Sequence, residues 1–180
     1  MKARQSGFTL VEIAIVLVII GLLLGGILKG QEMITQAKIK NVIADFSGVS
    51  AAYHGYQDRY RAIPGDDPNA ATRWAVAPAA TAGDGNGVVG GLYNTAADAA
   101  GAAGESRRWW DHLRRAGFVS GTGTQQPFNA LTGMIGVQTG DGAAGPTMLN
   151  AAAGNGFVGL IMCSANLPDK IAIAVDTQMD

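Results

Sequence analysis

Phe8 to Leu28 reads FTLVEIAIVLVIIGLLLGGIL, 21 residues whose only charge is Glu12. As a helix rising ~1.5 Å per residue it spans roughly 31 Å, close to the ~30 Å hydrocarbon core of a bilayer. A short basic segment, Met1 to Gly7 with Lys2 and Arg4, precedes it, and Lys29 follows. Buried helices of soluble cores carry shorter apolar runs, about 10–14 residues. A removable secretory signal would be followed by a small-residue A-x-A site. Here the run ends in Gly25-Gly26-Ile27-Leu28-Lys29-Gly30, with no such site. The stretch reads as a membrane span that stays in the mature chain.

Glu12 makes this span unusual. A carboxylate inside hydrocarbon costs on the order of 3 kcal/mol even on lenient insertion scales, so it needs a paired charge or a role. No Lys or Arg lies between Phe8 and Leu28. A chain cut just before Phe8 would gain an α-amino group at a similar depth. Within one straight helix that amine is poorly placed for Glu12, and a neighbouring copy's amine fits better.

Gly7-Phe8-Thr9-Leu10-Val11-Glu12 followed by an apolar run resembles the class III leader junction of type IV pilins and type II secretion pseudopilins. The resemblance implies that a prepilin peptidase cuts between Gly7 and Phe8 and that the new amine of Phe8 is methylated. It also implies that Glu12, fifth in the mature chain, supports assembly by pairing with the amine of the adjacent subunit. The partners so implied are the peptidase, an inner-membrane assembly platform, and copies of this chain or other pilins in a helical filament.

Beyond Lys29 the chain turns polar but keeps a helical rhythm. Ile39, Val42, Phe46, Val49, Tyr53, Tyr56 and Tyr60 recur at alternating spacings of 3 and 4, which places them on one stripe. Lys38, Lys40, Asn41, Asp45, Gln57, Asp58 and Arg59 fill a solvated face. The stripe predicts a helix packed on a C-terminal domain. Helix from Phe8 to about Tyr60 would measure roughly 80 Å. Pro64-Gly65 and Pro68 then end it, with Asp66-Asp67 between them read as turn chemistry. The expected layout is a leader at 1–7, a transmembrane helix at 8–28, its amphipathic continuation at 29–60 and a globular head at 61–180.

Whole-chain arithmetic bounds the head. Of 180 residues, 13 are Lys or Arg and 14 Asp or Glu, a net charge of −1 that gives no general pull toward nucleic acid. Charged residues make up 15% and apolar ones 48%, which excludes a wholly disordered chain. Gly numbers 26, about twice the usual ~7%. Cys163 stands alone, so no internal disulfide can form, and it lies in an apolar run that predicts a buried, inert thiol. Many pilus subunits of the resembled superfamily close a C-terminal loop by disulfide, and the lone Cys leans toward a pseudopilin-like or atypical pilin.

Residues 70–104 hold 13 Ala and 7 Gly, a composition expected of surface loop with at most a turn of helix. Within it, Gly83-Asp84-Gly85-Asn86-Gly87 resembles a fragment of a calcium loop. An EF-hand needs a bidentate acid at its twelfth position, which here is Thr95, so that motif is excluded. A structural turn is the preferred reading, with calcium at Asp84 and Asn86 as the alternative. Major pseudopilins carry a calcium site near the C-terminus, whose ligands do not map onto this chain.

Glu105 to Ala116 predicts a second helix, with Trp109, Trp110, Leu113 and Ala116 on one face and Gly117 capping its end. Arg107, Arg108, Arg114 and Arg115 surround it. Basic residues beside exposed tryptophans would grip single-stranded DNA; the preferred reading is that both tryptophans pack and no nucleic acid is bound. Thr132–Gln138 and Phe157–Cys163 read as strands. Asn166 to Lys170 looks like a helix start with Asn as its cap, whereas Ile171, Ile173 and Val175 alternate as in a strand. The fold class is α+β and pilin-like: a long helix packed on a small antiparallel sheet, with Gly/Ala-rich loops.

His54, His112 and Cys163 assemble no catalytic or metal constellation, and no phosphate loop is present. Tyr60 to Pro68, Trp109-Trp110-Asp111-His112-Leu113 and Ala116-Gly117-Phe118 resemble landmarks of a group of prepilin-like proteins, whose chains usually continue past the equivalent of Asp180. The expectation is a non-enzymatic filament subunit of a type IV pilus-like or secretion pseudopilus system, without cofactor. It would sit in the inner membrane as a single pass, head in the periplasm, before assembly. The alternatives are a membrane-anchored periplasmic enzyme and a DNA-binding minor pilin.

Overall fold

The computed structural model describes residues 9–94, 104–140 and 159–179; Gly7 and Phe8 lie outside them. A single helix, α1 (Leu10–Tyr60), runs for 51 residues, about 76 Å at 1.5 Å per residue. Among the described residues of the head follow the short helices α2 (Ala70–Arg73), α3 (Glu105–Arg115) and α4 (Asp169–Met179), with strands β1 (Ile135–Thr139) and β2 (Leu160–Ser164) between the last two.

The predicted stripe is the part of α1 that meets the head. Ile39, Val42, Val49 and Tyr56 are buried, and Phe46, Tyr53 and Tyr60 are half-buried. Val49, Ala52 and Tyr56 join Trp109, Trp110 and Leu113 of α3, Ile135 and Val137 of β1, and Val89 in the main core. A second, smaller cluster sets Ile39 and Val42 against Ile171 and Val175 of α4. Gly55 lies beside the chain after α3: a Cβ there would sit 2.8 Å from the Phe118 ring.

Local chemistry ends α1 and α3. Arg61 adopts a left-handed conformation (φ 53°) and its amide donates to the Gln57 carbonyl at 2.8 Å, closing α1 before Pro64. After α3, Gly117 (φ 83°) donates to Arg114 and Phe118 to Leu113, both at 3.0 Å, the paired bonds of a Schellman stop.

The sheet is antiparallel, with Ile135 opposite Ser164, Val137 opposite Met162 and Thr139 opposite Leu160. Its first strand starts three residues later than the apolar run suggests. Asn129 accepts the amides of Leu131 and Gly133 through Oδ1, each at 2.8 Å, and holds Thr132 at φ 61° in a turn. In the second run, Phe157 and Val158 lie outside the described residues.

The ambiguous C-terminal segment is helical. Ile171 and Val175, one turn apart, are 6% exposed, while Ile173 between them is 66% exposed. The Pro168 carbonyl opens α4 by accepting the Ile171 and Ala172 amides. Asn166 does not cap it: at φ 56° its side chain donates instead to the Leu131 carbonyl, 2.9 Å away.

Candidate functional site

Among the described residues, nothing covers the membrane-length part of α1. Leu10, Leu17, Leu22 and Leu28 are 86%, 63%, 73% and 66% exposed, and apolar residues point out all round the helix. Among the described residues this is the one helix long and apolar enough to cross a membrane.

Glu12 is placed by a capping device that the leader motif does not imply. Thr9 is the N-cap of α1: its hydroxyl accepts the Glu12 amide at 3.3 Å, and the Glu12 carboxylate reaches back to the Thr9 amide at 2.8 Å. The Thr9 hydroxyl also donates to that carboxylate at 2.6 Å. This is a reciprocal capping box, and Thr-x-x-Glu ahead of an apolar run is its sequence signature. Thr9-Leu10-Val11-Glu12 could therefore have been read as a helix start. The carboxylate is thus hydrogen-bonded even in a lone chain, so the cost of carrying it into lipid is reduced before any second copy arrives. Both Thr9 donors remain after a cut between Gly7 and Phe8.

The head contains a second arrangement of acids. Asp66 and Asp67 lie in the expected turn, where Asp67 Oδ1 accepts the Asn69 amide two residues on, and both are buried, at 4% and 0% exposure. The Asp67 carboxylate accepts from Arg73 at 2.5 Å, from the Tyr56 hydroxyl at 2.6 Å and from the Asn69 amide at 2.9 Å. Burial pushes its carboxyl up, but the bonds from Arg73 and Tyr56, the Asn69 amide and the Arg73 charge outweigh that and hold it below the ordinary carboxylate range. The Tyr56 hydroxyl is pushed upward by burial and by the same carboxylate. Arg73 also covers the Tyr60 ring, its guanidinium carbon 4.2 Å from the ring centre. Tyr56 and Asp67 lie eleven residues apart in the chain and meet only because the turn after α1 doubles back.

Asp66 faces the glycine-rich loop. It accepts the amides of Gly85 at 2.7 Å, Asn86 at 3.2 Å and Gly87 at 2.8 Å. Glu105 accepts those of Asp84 at 3.3 Å and Gly90 at 2.9 Å. The carboxylate oxygens of Asp66, Asp84 and Glu105 lie within 4.8 Å of one another. Of the two expected calcium ligands, Asp84 is therefore in an acidic cluster. Asn86 meets that cluster through nitrogen and not oxygen: its NH₂ donates to Asp84, while its side-chain oxygen accepts the Val88 amide. Three carboxylates could hold a cation, yet the amides of the loop already supply their positive ends, which suits the structural-turn reading.

The histidines separate. His54 is exposed on α1, whereas His112 is fully buried with both ring nitrogens bonded. Cys163 is half-buried in β2 and not fully buried as expected, because the short strand β2 is only partly covered, and burial pushes its thiol up. Trp109 and Trp110 are 1% and 0% exposed, so neither ring is available to stack on a base. Arg114 and Arg115 donate to the carbonyls of Gly123 and Pro78, and Arg115 also pairs with Asp111 at 2.6 Å.

Residues 2–28 match the family model described as the prokaryotic N-terminal methylation motif, the prepilin motif of type IV pilins and pseudopilins. No curated protein and no solved structure matches the chain. The motif marks a precursor for a prepilin peptidase, and together with the long apolar helix it fits a chain anchored in a membrane.

Proposed function

We propose that this prepilin-motif chain is a structural subunit of a type IV pilus-like or type II secretion pseudopilus filament. It is made as a precursor, cut between Gly7 and Phe8, methylated on Phe8 and drawn into the filament from the inner membrane, its head in the periplasm. The supporting observation is the apolar half of α1, exposed on every side and continuous with a half clamped to a folded head. Such a helix is stable in lipid or among other apolar helices and nowhere else.

Exchanging lipid for neighbouring helices supplies little hydrophobic drive, so register has to come from specific contacts. Glu12 provides one. In the lone chain its carboxylate closes on Thr9; in the filament it turns to the methylated amine of an adjacent copy, trading hydrogen bonds for an ion pair in a dry environment. The reading assigns no catalysis, cofactor or nucleic acid. The two alternatives lack support in the head, where no nucleophile–base pair is assembled among the described residues and both candidate stacking rings are buried.

Glu12→Ala tests the assignment. Expected are normal membrane insertion and normal loss of the first seven residues, with filaments absent or out of register by electron microscopy. Filaments of ordinary yield and order would sink it. Mass spectrometry of the mature wild-type chain should begin at N-methyl-phenylalanine, residue 8.

A further inference from the structure

Three segments far apart in sequence meet on one imidazole ring. The Gly65 amide donates to His112 Nδ1 at 2.9 Å, and Nε2 lies 2.9 Å from the Thr81 carbonyl oxygen. An N–H pointing at Nδ1 requires a lone pair there, and a carbonyl facing Nε2 requires a proton there. The ring is therefore neutral, in a single tautomer, with both nitrogens used. It is fully buried, nearly parallel to Tyr56 of α1 at 6.4 Å and 6.0 Å from Trp74.

A second proton can go only to Nδ1, where it would face the Gly65 N–H, donor against donor. We propose that His112 is an acid-sensitive clasp, whose protonation at Nδ1 expels the Gly65–Asp67 turn and frees the loop that hangs from it, while the rest of the head stays folded. Gly65 has no second seat: at φ 84° it is packed against the backbone of Glu105 and Trp109. The loop depends on the same turn, since Asp66 holds the amides of Gly85, Asn86 and Gly87, and the Asp67 carbonyl accepts from Gly83 at 3.0 Å.

The charges around the ring come from several elements. The turn contributes Asp67, neutralised by Arg73 from α2 at 2.5 Å; α3 contributes Arg108 and Asp111, the latter paired with Arg115. From α1 the facing group is Tyr56, held un-ionised, and the loop side offers the Thr81 carbonyl. Burial dominates: against the pull of the Thr81 carbonyl, Asp67 and Asp111, it keeps the ring's proton affinity below the ordinary histidine value, and Arg108 adds to it. The clasp is closed at neutral pH. Below the ordinary value of about 6.5 the open form binds the extra proton, so its population rises tenfold per pH unit until the depressed value of the closed form is reached. A head facing the periplasm or the medium experiences external pH directly, but the clasp is independent of whether the chain polymerises.

Hydrogen exchange on the full-length chain in detergent micelles reads the clasp directly. The protection factor of the Gly65 amide, corrected for intrinsic rate, should fall at least tenfold between pH 7 and pH 5, together with those of Gly85 and Gly87. Protection in the core helix α3 should hold. In His112→Asn, whose side-chain oxygen replaces the Nδ1 acceptor but cannot titrate, Gly65 protection should change less than threefold. Unchanged protection in the wild type, or an equal decline in both proteins, overturns the proposal. Should His112→Asn not fold, nitrogen NMR of the wild-type ring serves: the Gly65 amide signal must move with the same midpoint as Nδ1. A ring that titrates while Gly65 stays still is equally fatal to it.

Discussion

The two halves of α1 share one backbone and similar residues but live in different solvents. Ile15, Leu22, Leu28 and Ile34 are 55–73% exposed, whereas Ile39, Val42, Val49 and Tyr56 are 0–8% exposed. The change falls between Ile34 and Ile39, somewhat beyond the apolar run, so burial begins where the head begins and not where the polar residues begin. Apolar residues on all faces demand an apolar surrounding on all faces, which a small head cannot supply. A stripe demands only one partner surface, and α3, β1 and α4 provide it. One helix thus carries both the anchor and a wall of the core.

The sharpest way to break this contrast is to mutate each half and unfold the chain in micelles with urea, following near-ultraviolet circular dichroism. Trp109→Ala, on the head side of the seam, should cost about 4 kcal/mol through lost burial and the cavity left behind. Asp67→Ala should cost about 3 kcal/mol, because Tyr56 and the three-quarters-buried Arg73 lose their shared acceptor. The wild type should show the same dependence on acid. Its Asp67 value is depressed in the folded state, so this stabilisation is complete above the ordinary value of about 3.9 and fades as pH falls toward the depressed one.

Glycines sharpen the contrast further. Gly55→Ala puts a methyl 2.8 Å from the ring of Phe118, which is 37% exposed and can swing aside, so the ~1 kcal/mol gained in helix propensity should be cancelled and the net change stay within about 1 kcal/mol. Gly48→Ala meets nothing within 4 Å and should stabilise by nearly 1 kcal/mol. The smallest effect belongs to the anchor. Leu17→Ala should leave the unfolding midpoint of the head within about 0.5 kcal/mol of wild type, since Leu17 is 63% exposed and belongs to neither core cluster. A large loss there would mean that the apolar half folds back on the head.

Legibility followed the range of the interactions. The span, the stripe, the stop at Arg61-Pro64 and the Gly117 cap are written within a turn or two of the residues concerned, and each appears in place. The capping box at Thr9 is equally local, written in Thr9-x-x-Glu12 ahead of an apolar run. The sheet was placed less well, because Asn129 extends a turn into an apolar run that reads as strand. At α4, Ile171 and Val175 satisfy periods of both two and four, and only the position of Ile39 and Val42 decides which face has a partner.

The sequence by itself determined that this chain carries a cleavable leader motif, a membrane-length helix with one acid near its start, and a stripe that must pack on something. Those properties are local sums of hydrophobicity and spacing, which no later folding can revoke. Tertiary structure alone decided what the head does with its polar residues. Asp66 and Asp67 left the surface to hold a loop and an arginine, and His112 became a buried junction reaching 47 residues back to Gly65. Burial raises the cost of every unpaired polar group, so their partners were set by which segments the core brought together, and chain spacing does not encode that.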